Sequence, residues 1–564
     1  MMKSTVTYLG TQGDDIHGYG RVGAKRPVSG VHAVCSSQHA VVTDAMLRVL
    51  RAGGNAMDAV IAGSLLQAVV AQDMTNHTGT VTGLFHEAAT GTVHQLDSMG
   101  RIVPGLAAHH RVPGGKGEFS PAGTPGPMSV IPGFMPGMKA IFERFGSKPW
   151  DYLVTPALEA AREGHIVTSF EHLVYAQTAD FFLYTPSGRE HFAPRGHLPQ
   201  VGERWAVPAL AETMAALAEE GPDYFITGDW ARHFVARANE VGWPITLDHM
   251  SVLPARWREP ARWTHRGHEI VQLSVPERQA VYCAIVLGVT RHLDLASLGH
   301  FSESPHAAYY FGHALRLAHL ETGFLNDPDL FEDPSELLMA DEFHAHLAAK
   351  LKRSTPKTDL TKHVELTKGR NALYAAGSVS KQPAGSCELS VVDGQGNWVQ
   401  MMNTLQSGGI AGEVVDGVPM VGSHQINSLT SPISGWLTGG GGMRSMLSNT
   451  LVFRDGRPVL SLGTPGNVHC TVPQMLVNIL DYGMDPATAE DKPRMLPMTD
   501  DYQLSIESRV SGEFVDGLAR LGVLVNPLPE YDYHMGSYQM SWRDDNHTLH
   551  GIAGHRREGK AAAY

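Results

Sequence analysis

The sequence predicts an α+β protein, and three stretches carry that prediction. Residues Leu389–Val392 form a short apolar run that stops abruptly at Asp393-Gly394-Gln395-Gly396-Asn397, the pattern of a strand entering a Gly-rich hairpin turn. From Gln38 to Ala52 apolar residues return at helical spacing, and Gly53-Gly54-Asn55 supplies the stop. Asn55–Val70 then reads as a second helix, apolar on most sides, which calls for burial between layers of structure.

Taken in order, residues 1–30 are Gly-rich and patternless, so a surface arm is expected there. Val31–Ser37 reads as a strand leading into the first helix. Residues 353–385 mix Lys, Thr, Gly and Ser without periodicity and read as an exposed linker, the kind of segment that tolerates cutting. With 43% hydrophobic and 18% charged residues the composition is globular. A formal charge of −13 argues against a nucleic-acid partner, which would require a basic face. No run reaches the roughly 20 apolar residues of a membrane span, and the N-terminus lacks a signal-peptide core. Cys35, Cys283, Cys387 and Cys470 are scattered without a CxxC pair, which fits free thiols in a reducing cytoplasm. No HExxH occurs among the histidines. His306, His313 and His319 mark a polar or packed helix face, so neither metal nor cofactor is expected.

The stretch Gly385-Ser386-Cys387 holds the chemistry. A hydroxyl at the start of a strand, preceded by glycine, suits a self-cleaving precursor. Cutting Gly385–Ser386 would leave Ser386 with a free α-amine, whose reference pKa near ~7.7–8.0 makes it a base suited to neutral pH. Two other readings stand beside this one. The stretch could be an ordinary buried strand, or processing one residue later could expose the Cys387 thiol, intrinsically the better nucleophile.

Several landmarks, in order, resemble one family. "SSQHAVVTDAMLRVLRAGGNAMDAVIAGSLLQAVV" (36–70) is similar to the opening of the gamma-glutamyltransferase family of N-terminal nucleophile hydrolases. Val130–Phe134, "FGSKPWDYLVTPALEAAREGHIVT" (145–168) and Phe324–Asp329 follow in that family's order. "GSCELSVVDGQGNWVQMMNTLQSGGIAG" (385–412) resembles its small-subunit start without gaps, and "GMRSMLSNTLVFRDGRPVLSLGTPGN" (442–467) its serine strand and glycine turn. The resemblance implies a four-layer αββα sandwich, cut at Gly385–Ser386 into a large chain (31–385, after the 1–30 arm) and a small chain (386–564). The two would stay together as a heterodimer, or pair into a heterotetramer.

The same resemblance implies the site. Ser386 would be the nucleophile and Thr404 the hydroxyl that orients it. The backbone N–H groups of Gly466 and Asn467 would receive the oxyanion. Pocket positions map to Met99, Arg101, Gln406, Gln425, Ser428, Ser445 and Met446. Here the chain departs from the family. Met99 stands where the carboxylate-binding arginine is expected, with Arg101 two residues away. Ser428 replaces the acidic residue for the substrate ammonium, Gln406 an asparagine, and Met446 one of two serines. An unpaired substrate charge in a dry pocket costs several kcal/mol, so γ-glutamyl groups should be rejected. The expected activity is hydrolysis of another small-molecule amide, as in acylase-like or amidase-like relatives. Gamma-glutamyl hydrolysis or transfer through a rearranged pocket is one alternative; an unprocessed, non-catalytic binding paralogue is the other.

Overall fold

The computed structural model describes residues 23–103, 130–177, 179–183, 185–240, 245–252, 255–353, 359–362, 385–405, 410–421, 442 and 445–564. Its sheet strands, in chain order, begin with β1 (Val28–Gly30), β2 (Val34–Ser37), β3 (Thr80–Glu87), β4 (Thr92–Ser98), β5 (Arg256–Arg258), β6 (Ala261–His265) and β7 (His268–Gln272). They continue with β8 (Cys387–Val392), β9 (Trp398–Thr404), β10 (Thr450–Arg454), β11 (Arg457–Gly463), β12 (Gln539–Arg543), β13 (Leu549–Ala553) and β14 (Lys560–Ala563). One antiparallel sheet runs β14-β2-β8-β9-β3-β4-β5, and the other β1-β13-β12-β11-β10-β7-β6.

The helices α1 (Ala40–Arg51), α2 (Ala56–Val70) and α3 (Trp150–Glu163) share a hydrophobic core with Leu389, Val391, Val399 and Met401 of the first sheet. A second core joins Trp398 and Met402 to Leu451 and Leu462 of the other sheet. It continues under α4 (Gln279–His292), α5 (Pro305–Glu321) and α6 (Val468–Leu480). Helix, sheet, sheet and helix therefore stack as a four-layer αββα sandwich, the architecture implied by the resemblance.

Period-two alternation in β8 explains its unusual composition. Leu389 and Val391 face the helices. Ser390 faces the other sheet, with its hydroxyl 3.2 Å from Ser461 and 2.9 Å from Ser541. At α2, Asn55 caps the helix: its side chain accepts from the Asp58 amide at 2.8 Å, and its own amide donates to the Asp58 carboxylate at 2.9 Å. This reciprocal pair starts the buried helix within a residue of its expected position.

Three expectations need correction. The strand read over Val31–Ser37 starts only at Val34, as β2, because the amides of Val31, His32 and Ala33 before it all donate to the Tyr564 carbonyl. The end of the expected N-terminal arm is β1, paired with β13; residues 1–22 lie outside the described residues. The reading of 353–385 as an exposed linker fails at both ends, because Arg353, though exposed, closes a helix and Gly385 is buried.

Candidate active site

Sheet register sets the position of Ser386. Cys387 pairs with Asn403 across β8 and β9, so Ser386 meets Thr404, and their hydroxyl oxygens are 2.7 Å apart. Ser386 has a φ of +88°. A side chain other than glycine's is strained there, because its Cβ crowds the backbone. Conformations of this kind cost about 1–3 kcal/mol and persist only where surrounding contacts impose them. The contacts are visible here: Thr404 holds the hydroxyl, and Arg557 donates to the Ser386 carbonyl at 3.1 Å. Arg557 also donates to the Tyr533 carbonyl at 3.3 Å. Burial pulls its guanidinium down to about 10, so it stays charged at neutral pH.

The adjacent thiol is built for packing. Cys387 is buried against Ala71, Met74 and Val174. Burial, reinforced by the nearby Asp73 carboxylate, pushes its pKa well above the ordinary thiol value, which suppresses the thiolate that nucleophilic attack requires. Beyond it lies a cavity of about 20 Å³ lined by Gln67, Asp73, Glu171, Arg557 and Glu558, room for about one water molecule.

The turn expected to receive the oxyanion follows β11. Gly466 has a φ of +82°, and a Cβ there would lie 2.6 Å from the His534 carbonyl oxygen. Only glycine fits. Among the described residues, the Gly466 N–H has no hydrogen-bond acceptor. Asn467 differs from expectation. Its backbone N–H donates to the His534 carbonyl at 2.9 Å and its side-chain amide does so at 3.0 Å. The amide proposed for the oxyanion is thus already committed, which leaves Gly466 as the candidate donor of the pair. Asn467 also caps α6, and a helix N-terminus adds positive potential at such a turn.

The acyl-pocket positions divide. Thr404 pairs with Thr80, and Val81 with Ser98, so Met99 emerges at the same sheet end as Ser386. It is packed into the core at 1% exposure. Arg101 is buried with carboxylates on two sides, Asp97 at 3.9 Å and Asp327 at 3.7 Å. Arg258 shares Asp97, at 2.9 Å. Ser445 and Met446 are buried, and the Ser445 carbonyl accepts from the Arg278 amide at 3.0 Å. Gln406, Gln425 and Ser428 lie outside the described residues.

A family model described as Gamma-glutamyltranspeptidase matches residues 42–564. The chain belongs to the gamma-glutamyltranspeptidase family. Among curated relatives, the "Glutathione hydrolase-like YwrD proenzyme" of Bacillus subtilis (strain 168) is 26% identical over 554 residues, covering 95% of this chain and 99% of the relative. The "Acylase ACY 1 proenzyme" of Pseudomonas sp. (strain SE83) is 24% identical over 556 residues, covering 96% and 95%. The crystal structure of cephalosporin acylase from Bacillus halodurans has the same fold, with a TM-score of 0.79 at 21% identity over 98% of this chain and 99% of that one. This member of the gamma-glutamyltranspeptidase family is a divergent, acylase-like one of the N-terminal nucleophile hydrolase fold. It is an amide-bond hydrolase or acyltransferase.

Two contributors to this family member's site escaped the sequence reading. Arg557 lies 171 positions from the serine it holds, and no local pattern around it signals that contact. Glu388 reads in sequence as one polar residue in a strand, although it is fully buried. No helix among the described residues is long and apolar enough to cross a membrane.

Proposed function

We propose that the chain cuts itself at Gly385–Ser386 and then hydrolyses a small-molecule amide whose acyl group is not γ-glutamyl, with Ser386 as nucleophile. The single observation that carries this reading is the left-handed Ser386 backbone, with its hydroxyl on Thr404, at the peptide bond to be cut. In the precursor, Ser386 Oγ adds to the Gly385 carbonyl and the C–N bond breaks. The nitrogen leaves as the Ser386 α-amine, and water hydrolyses the resulting ester to a Gly385 carboxylate. In turnover the α-amine takes the Ser386 hydroxyl proton as Oγ attacks the substrate amide. It returns that proton to the leaving amine, and water releases the acyl group. Gly466 N–H is the proposed donor to each tetrahedral oxyanion.

The two pieces would remain one body. β8, flanked by β2 and β9, has one neighbour from each side of the cut. β14, from the small chain, lies outside β2. Separation would break both sheets. The "proenzyme" names of the relatives support processing for those proteins.

The acyl end supports the exclusion of γ-glutamyl groups. A γ-glutamyl substrate brings an α-carboxylate, yet Met99 offers no charge and Arg101 is already paired with Asp97 and Asp327. Intact-mass analysis, followed by a panel of acyl p-nitroanilides, tests the reading. Two chains ending and beginning at Gly385 and Ser386 are expected, with neutral acyl groups released faster than γ-glutamyl. Ser386→Ala should remain one chain and turn over nothing. An S386A protein that still hydrolyses anilides, and is stopped by alkylation of Cys387, overturns it.

A further inference from the structure

We propose that Glu388 is a positioning residue that locks the Thr464–Asn467 turn to the nucleophile strand through Ser448. This rests on the preceding assignment of that turn to the oxyanion. Glu388 is two residues from Ser386, on the face of β8 that looks toward the other sheet. One carboxyl oxygen, Oε1, accepts from Gln400 Nε2 at 2.8 Å and from Asn449 Nδ2 at 2.9 Å. The other, Oε2, is 3.3 Å from Ser448 Oγ. That same Ser448 oxygen accepts the backbone N–H of Thr464 at 2.8 Å. A single side chain therefore connects the strand that begins at the nucleophile to the first residue of the turn that ends at Gly466 and Asn467.

The opposing backbone is shaped around this carboxyl. A Cβ on Gly463 would lie 2.0 Å from Glu388 Oε1 and 2.4 Å from Gln400 Nε2, so β11 approaches the acid only because residue 463 is glycine. The far side of the turn is held as well. Thr464 Oγ1 accepts the Ser537 amide at 2.8 Å, which leaves Glu388 as the brace on the nucleophile's side.

Both carboxyl oxygens of the acid have partners. The groups that face Glu388 from β9, β11 and the segment before β10 are an amide, a glycine, a hydroxyl and a second amide. The Gln38 side chain meets its backbone amide, and among the described residues the titratable group beside it is the Cys387 thiol on its own strand. Burial without a cationic partner raises the Glu388 carboxyl well above the usual carboxylate range. Both oxygens act as acceptors: Oε1 takes both amides, and the Ser448 hydroxyl donates to Oε2 while its oxygen takes the Thr464 N–H. Glutamine keeps these contacts with one bond reversed: its oxygen takes both amides, and its NH₂ donates to Ser448 Oγ as the serine hydroxyl rotates away. Leucine does not.

The test combines hydrogen–deuterium exchange of the 463–468 peptide with steady-state kinetics on whichever p-nitroanilide the wild type cleaves. Glu388→Leu should speed exchange of that peptide about tenfold or more. It should lower kcat by up to about 10²-fold, the lower bound for losing one oxyanion donor, with little change in KM. Ser448→Ala leaves the carboxyl in place, guards against a misfolded E388L protein, and should reproduce both effects. Glu388→Gln should restore what E388L loses. Unchanged exchange in both E388L and S448A overturns the proposal, as does faster exchange with unchanged kcat, or an E388Q protein as impaired as E388L. Failure of the oxyanion and nucleophile reading appears separately, as a wild-type Gly385–Ser386 bond that stays intact, and leaves the exchange result interpretable.

Discussion

The two ends of the site are built on opposite principles. At the Ser386 end, the backbone is held in a conformation that costs energy: Ser386 has a positive φ without being glycine, and buried Arg557 holds its carbonyl. At the acyl end the polar groups are already content, since Arg101 has Asp97 and Asp327, Asp97 has Arg258, and Met99 is core. Strain at Ser386 and the Gly466 N–H, which has no acceptor among the described residues, gather where the proposed chemistry would be done. Internal charge pairing is what the proposed exclusion of a charged acyl group rests on.

The sharpest way to break this contrast is Gly466→Ala. It forces a Cβ into the His534 carbonyl and turns the free N–H away, so kcat should fall about 10²–10³-fold with a smaller change in KM, by steady-state kinetics. The cost of burying groups beside the nucleophile should appear next, in the pH dependence of stability. Burial pushes Glu558 up to about 7, against an ordinary value of 4.5. The fold then retains a proton that the unfolded chain releases, so stability falls as pH rises from about 4.5 to about 7, by about 3 kcal/mol. Denaturant midpoints across that window should flatten in Glu558→Gln. Thr404→Val comes third. It keeps the shape and removes the hydroxyl, and at the ~1–1.5 kcal/mol of one hydrogen bond it should slow precursor cleavage and kcat about tenfold together. The smallest effect belongs to the acyl end. Arg101→Gln should shift the preference between glutaryl and butyryl anilides by less than about tenfold, below the ~1.5–3 kcal/mol of a charged hydrogen bond to substrate. A larger shift would show that Arg101 leaves its carboxylates for the ligand.

Local pattern made the layers legible. The helices at Ala40–Arg51 and Ala56–Val70 follow from apolar spacing and an Asn cap, and the β8–β9 hairpin follows from its Gly-rich turn. Ser386 and Thr404 were legible through ordered family landmarks, and sheet register brought their hydroxyls together. Asn467 lies in the turn where it was expected, but its N–H is given to a carbonyl and not left for an oxyanion. Which way a peptide N–H points depends on what packs behind it, and here that is the His534 carbonyl, 67 positions away.

Sequence by itself determined the kind of protein: which segments are strands and helices, which family they follow, and which serine begins a strand after glycine. Those properties reside in neighbouring residues and their spacing. Only the tertiary structure decided how the serine is held, which turn N–H stays free, and whether Arg101 has a charge to offer. Each of these is an electrostatic or steric relation between residues far apart in the chain. Arg557 on Ser386, Asp327 beside Arg101 and Glu388 against Gly463 exist only once the sheets have stacked.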